Sequence, residues 1–168
     1  DILDLSKSEA GRMELQPGDF DLGQLIDSLQ VLFEVRCRQK GLQLRVDREP
    51  VADTVRGDET KLRQVLVNLL GNAVKFTDRG EVILVVSKVD KQYVFEVIDT
   101  GPGIAPEFQQ FMFEPFQQGS SGLASGGTGL GLSIAQRHVA LMGGRLVVTS
   151  APGEGACFSF RVPLETVS

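Results

Sequence analysis

The sequence predicts an α+β domain in which a layer of mostly antiparallel strands is backed by helices. Three observations carry that prediction. The segment from Asp58 to about Phe76 places Leu62, Val65, Leu66, Leu69, Leu70 and Ala73 three and four residues apart, the stripe of a helix lying on a sheet. Glu81–Lys88 and Gln92–Ile98 are β-branched and aromatic runs separated by Val89-Asp90-Lys91, the pattern of a hairpin. Arg145–Ser150 and Ala156–Val162 read as a further pair of strands joined by a Pro-Gly-Glu-Gly turn.

The remaining elements fall in order around these. Asp1–Glu14 reads as the last turns of a helix, with Ile2, Leu3 and Leu5 as apolar positions and Gly11 as a stop. Gln16–Asp21, containing Pro17 and Gly18, reads as a connector. Leu22, Leu25, Ile26, Leu29, Leu32 and Phe33 then recur at helical spacing, which predicts a helix from about Leu22 to a stop at Gly41. Leu42–Asp47 alternates in a two-residue period and reads as a strand, with another short one at Val55–Gly57. Asp58 is a good N-cap for the long helix, and Asp78-Arg79-Gly80 is a turn after it. Phe108–Gln118 is rich in Phe and Gln, and Gly119–Gly127 is a loop by composition, expected to be poorly ordered without ligand. A helix is expected from about Gly129 to Met142, closed by Gly143-Gly144.

Composition removes several function classes. A chain of 168 residues with 42% hydrophobic and 23% charged residues is one soluble globular domain, not a disordered segment. Its net charge of −5 argues against a nucleic-acid binder held by bulk positive charge. No apolar run approaches the ~20 residues that span a bilayer. Cys37 and Cys157 are far apart, with no CxxC and no histidine nearby, which disfavours a disulfide scaffold or a zinc site. The chain opens on aspartate, so it is expected to be part of something longer. Of its 19 glycines, 12 fall between Gly101 and Gly155, a clustering that calls for turns or for close backbone approach to a ligand.

Four features could hold chemistry. Asn68, Asn72 and Lys75 share the polar side of the long helix. They read either as a solvated face or as two amides for a hard cation beside an ammonium for phosphate. Asp99-Thr-Gly-Pro-Gly-Ile104 is either a plain hairpin loop or a carboxylate set among glycines that admit a flat ligand. Such a carboxylate accepts from the exocyclic amine of adenine, where guanine presents a carbonyl. Gly126-Gly-Thr-Gly-Leu-Gly-Leu132 leads into a helix and could cradle phosphates on backbone N–H groups. It lacks GK[ST] and follows a Ser/Gly loop, so it is neither a P-loop nor a dinucleotide-binding turn. Phe113-Glu-Pro-Phe116 supplies either two core phenylalanines or the hinge of a lid. His138, the only histidine, lies among Ile134, Ala135, Leu141 and Met142 and reads as a packed imidazole.

Taken in this order, the segments from about Phe20 to Leu164 resemble the ATP-binding catalytic domain of sensor histidine kinases, within the GHKL ATPase superfamily. Asp58–Thr77 resembles the family's N box, Asp99–Ile104 its G1 box, Phe113–Phe116 its F box and Gly127–Gly131 its G2 box, with Gly153–Gly155 as a final glycine turn. The resemblance implies a two-layer α/β sandwich with a mixed sheet, binding ATP and Mg²⁺. It implies that Asn72 and Asn68 hold the Mg²⁺ and that Lys75 contacts phosphate. Asp99 would read the adenine amine over a floor shaped by Gly101 and Gly103. Gly127, Gly129, Leu130 and Gly131 would close on the phosphates, and Ile104, Phe116, Thr128 and Leu132 complete the expected nucleotide contacts.

The same resemblance implies that residues 1–15 end a dimerisation and phosphoacceptor helix and that residues 16–168 are the catalytic domain. Its acceptor histidine would lie before Asp1, in an upstream domain of the same protein, and a response-regulator receiver domain would be a further partner. This piece is expected to be a cytoplasmic monomer that contacts neither membrane nor nucleic acid, within a homodimeric parent for which anchoring in the inner membrane and a free cytoplasmic form both stay open. An ATP-hydrolysing machine of the gyrase, chaperone or mismatch-repair kind is a second class. Those relatives place a glutamate one turn before the Mg²⁺ asparagine, where this chain has Asn68, which cannot act as a general base. A nucleotide-binding module without kinase activity is a third.

Overall fold

A computed structural model describes residues 14–48, 54–103, 130–150 and 153–167. Its first elements are strand β1 (Gly18–Asp21), helix α1 (Leu22–Lys40), strand β2 (Gln43–Arg48), strand β3 (Thr54–Gly57) and helix α2 (Glu59–Phe76). There follow β4 (Glu81–Val89), β5 (Gln92–Asp99), α3 (Leu130–Leu141), β6 (Arg145–Ser150), β7 (Ala156–Pro163) and β8 (Glu165–Val167).

The main sheet has five strands in the order β2-β4-β5-β7-β6. Only β2 and β4 run parallel; the other neighbours are antiparallel, so the sheet is mixed as expected. Period-two alternation directs Val82, Leu84 and Val86 of β4, Tyr93, Phe95 and Val97 of β5, and Phe158, Phe160 and Val162 of β7 into the core. Phe95 and Phe160 stack there at 5.0 Å between ring centroids. Among the described residues the helices pack against the sheet and one another, α1 on β2, α2 on β4 and β5, and α3 on β6. Every residue of the predicted α2 stripe is buried, together with Val74.

Local chemistry explains the helix ends. Asp21 and Asp58 cap α1 and α2 by accepting from the backbone N–H groups of Gln24 and Lys61. Gly41 closes α1 in the left-handed region at φ 79°, which a side chain would strain. His138 is buried in α3, as its apolar neighbours suggest. Cys37 and Cys157 are free thiols. Burial pushes both thiols up from their ordinary value, and Glu96 adds to the effect on Cys157.

Three expectations are corrected. The connector read at Gln16–Asp21 contains β1, and a strand was missed at Glu165–Val167, because both are short and lack apolar alternation. They exist by pairing with β3 in a second sheet of order β1-β3-β8. The hairpin turn has two residues, not three: Val89 pairs with Gln92, and Asp90 takes a positive φ of 57°. The strand read at Leu42–Asp47 is shifted by one residue to Gln43–Arg48, since the Leu42 N–H still closes α1 by donating to Cys37 O. The readings at Asp1–Glu14, Phe108–Gln118, Phe113–Phe116 and Gly119–Gly127 lie on residues outside the described ones, Glu14 excepted.

Candidate functional site

The candidate site forms where the C-terminal end of α2 meets the C-terminal end of β5. Asp99 continues the core-facing row Tyr93, Phe95, Val97 of β5, so strand periodicity alone turns its carboxylate inward beneath the helices. It is 8% exposed. Burial pushes its pKa above the ordinary carboxylate value, and the N–H groups of Gly101 and Ala156 and the Thr77 hydroxyl only partly offset that. The Gly101 N–H donates to Asp99 Oδ1 at 2.9 Å.

Thr77 ends α2 in an extended conformation at φ −102° and ψ 118°, which swings its side chain off the helix. The residue is fully buried, and its Oγ1 finds no partner within hydrogen-bond geometry, although the hydroxyl still holds the Asp99 carboxyl down. A Cβ at Gly101 would lie 3.0 Å from Phe76 O and 3.1 Å from both Asp99 Oδ1 and Thr77 Oγ1. Glycine therefore fits a tight polar recess, walled by three oxygen atoms, that a side chain would overfill. A Cβ at Gly155 would likewise meet the Asp99 carbonyl, and Gly153 N–H donates to Pro102 O, so the last glycine turn braces the loop that follows Asp99.

The polar side of α2 adjoins this recess. Asn68, Asn72 and Lys75 are half-buried rather than fully solvated. Asn72 Nδ2 lies 3.5 Å from Asn68 Oδ1, so the two amides sit together as helical spacing requires. Lys75 is in the last turn with its Nζ 5.6 Å from the centre of the Phe76 ring. Among the described residues no three His, Cys, Asp or Glu side chains gather as a metal site. A cation here would be held by amide oxygens, water and oxygens of its ligand, a donor set suited to Mg²⁺ on a phosphate chain.

The structure thus brings together Asp99, Gly101 and Gly103 with the end of the helix that carries Asn68, Asn72 and Lys75. Gly103 has a positive φ of 80°. Leu130 and Gly131 lie in the first turn of α3, and Leu132 packs against the core. Ile104, Phe116, Gly127, Thr128 and Gly129 lie outside the described residues. Thr77 is the site residue that sequence reading did not single out. Its only signal is a hydroxyl directly after a helix, and its importance depends on a strand that follows much later.

Comparison with known proteins bears directly on this geometry. A sequence model of the histidine kinase-, DNA gyrase B-, and HSP90-like ATPases matches residues 57–166, from β3 through β8 and across the whole site. The chain belongs to that ATPase family. As an ATPase domain it is 43% identical to the virulence sensor protein BvgS of Bordetella bronchiseptica, over 99% of this chain and 14% of that protein. It therefore spans about one seventh of that curated relative. The full-length ShkA crystallised in complex with AMPPNP matches with a TM-score of 0.88 and 37% identity, over 99% of this chain and 35% of that one. Histidine kinase ThkA, crystallised in complex with response regulator protein TrrA, matches with a TM-score of 0.75 and 25% identity, over 96% of this chain and 46% of that one. The two-layer fold implied by the sequence resemblance is the fold of these structures. No helix among the described residues is long and apolar enough to cross a membrane.

Proposed function

We propose that this ATPase domain binds ATP with Mg²⁺ and transfers the γ-phosphoryl group to a histidine on a dimerisation and phosphoacceptor domain of its parent protein. The observation that carries the reading is the recess of Asp99, Thr77 and Gly101 at the end of the helix bearing Asn68, Asn72 and Lys75. The Asp99 carboxylate accepts from the exocyclic amine of adenine, and the glycine at 101 lets its N–H close on that carboxylate. The Thr77 hydroxyl steadies the ionised carboxylate and keeps a lone pair for the ligand or a water on it. Asn68 and Asn72 supply amide oxygens to the cation, and Lys75 holds phosphate oxygens. Mg²⁺, when bound, neutralises charge that develops on the phosphate chain.

The transfer itself is balanced without a protein base at Asn68. A neutral imidazole nitrogen of the acceptor attacks the γ-phosphorus, the bond from that phosphorus to the bridging oxygen breaks, ADP leaves with the electron pair, and the other ring nitrogen gives up its proton to water. This chain's residues position the donor and stabilise charge, which is most of what phosphoryl transfer asks of a protein. An amide at position 68 cannot activate water, which favours transfer over hydrolysis. BvgS is a sensor protein and ThkA was crystallised with a response regulator, and both support a receiver domain as the onward partner. The test is calorimetric titration of the chain with AMPPNP, with and without Mg²⁺, beside Asp99→Asn. Saturable binding that needs Mg²⁺ and that the variant weakens is expected. No binding by folded protein would overturn the reading.

A further inference from the structure

Helix α2 carries the phosphate-facing residues on its last turns and delivers Thr77 to the base-facing recess one residue beyond its end. The carbonyl groups of those last turns have no partner within the helix, as at any helix C-terminus. Here two of them are met by one side chain from a different element. Lys40, the final residue of α1, donates from Nζ to Val74 O at 2.7 Å and to Lys75 O at 2.8 Å. Its Nζ also lies 3.7 Å from Asp78 Oδ1, just past the end of α2. The ammonium therefore grips both sides of the turn, the last carbonyls of the helix and the first acidic side chain after it. The helix dipole adds to the attraction, because its negative end lies at these carbonyls.

The position of this grip gives it a consequence for the ligand. The carbonyl of Lys75 belongs to the residue read as the phosphate contact. The next carbonyl, Phe76 O, forms one wall of the Gly101 recess, and the Thr77 N–H donates back to Ala73 O at 3.1 Å. Any rotation of the Val74–Lys75 peptides moves Lys75 relative to Asn72 and Thr77 relative to Asp99. We propose that Lys40 is a positioning residue for nucleotide binding. It acts through the last turn of α2 to hold the phosphate-facing and base-facing halves of the site in register. The inference rests on the nucleotide-site reading above and adds a residue from outside the motifs that suggest it.

The experiment compares Lys40→Met, Lys40→Arg and Arg48→Met in the chain described here. Arg48 makes a like contact at the other end of α1, donating to Gly23 O at 3.2 Å and pairing with Asp27 at 3.1 Å. Arg48 sits at the end of β2 and thus controls for generic loss of a cation that holds a helix end. Titration with AMPPNP and Mg²⁺ is expected to show about tenfold weaker binding for Lys40→Met, since small misplacements of positioned groups carry large penalties. Arg48→Met is expected to bind within about twofold of the parent, and Lys40→Arg to recover most of the loss. Equal losses in the two methionine variants at matched melting temperatures would overturn the proposal, as would unchanged binding in Lys40→Met. Should Lys40→Met fail to fold, Lys40→Gln, which keeps a donor without charge, takes its place with the same criteria. Amide exchange at Thr77 and Gly101 provides a readout independent of nucleotide. Faster exchange there, with α1 amides unchanged, is expected, and unchanged exchange would overturn the proposal even if no variant, nor the parent, binds AMPPNP.

Discussion

Asp58 and Asp99 are both buried carboxylates that accept backbone N–H groups, yet their surroundings push them in opposite directions. Asp58 sits at the N-terminal end of α2. Burial raises its pKa, but the N–H groups of Gln16 and Lys61 and the Lys61 ammonium outweigh that and hold it below the ordinary value. Its partners are close: Gln16 N at 2.8 Å, Lys61 N at 3.0 Å and Lys61 Nζ at 3.1 Å. Asp99 lies past the other end of the same helix, where burial outweighs two N–H groups and a hydroxyl, and its pKa is raised. A carboxylate satisfied by its own fold stabilises that fold. The two differ in charge rather than in donor number: Asp58 has an ammonium and Asp99 has neutral donors alone, which fits the structural role of the first and the proposed binding role of the second.

The largest effect expected from this comparison is on binding at Asp99. Asp99→Asn is expected to weaken AMPPNP about 100-fold, the scale of a lost charged hydrogen bond, while melting no lower than the parent in the absence of nucleotide. A variant that binds like the parent but melts lower would make Asp99 structural and break the contrast. Next in size, Asp58→Ala is expected to destabilise the domain by about 2 kcal/mol, from the lost cap and the lost Gln16 contact, measured by urea unfolding. Nucleotide affinity of the folded protein should move far less.

Acid sharpens the contrast because the two signs differ. The lowered pKa of Asp58 contributes stability that is present above its unfolded value and lost as pH falls through its folded value. The raised pKa of Asp99 works the other way. Its contribution is present below its unfolded value and lost as pH rises through its folded value. The melting difference between Asp99→Asn and the parent is thus expected to close on acidification, while that of Asp58→Ala closes only at lower pH still. On the proposed role of the Asp99 carboxylate, nucleotide affinity should fall with acid before the fold does. The smallest effect is expected from Thr77→Val, about threefold in affinity. Removing its hydroxyl should move the acid limb of binding to higher pH, and a limb that stays in place would remove Thr77 from the site.

The pattern of what could be read from the residues follows the range of the forces involved. Helix α2 was legible from end to end because its cap, stripe and stop are contiguous. The polar trio Asn68, Asn72 and Lys75 came with it, since helical spacing alone puts them on one side. Asp99 was legible as a candidate through its glycines, but its raised pKa was not. That shift arises from burial under α2, which the Thr77 hydroxyl only partly offsets, and neither α2 nor Thr77 is near it in the chain. Lys40 showed no signal at all: a lysine at the end of a helix is ordinary until a second helix ends beside it.

Local sequence, then, determined the helices, the long strands and the chemical types of the site residues, because periodicity, capping and turn geometry act over a few residues. The four boxes in order also pointed to the ATPase family. Tertiary structure alone decided the pairing of β1 and β8 with β3, segments too short and polar to declare themselves as strands. It also decided that Thr77 faces Asp99 across the Gly101 recess and that Lys40 holds the end of α2. These depend on which ends of which elements meet, and that is set when the apolar faces of helix and sheet close on one another.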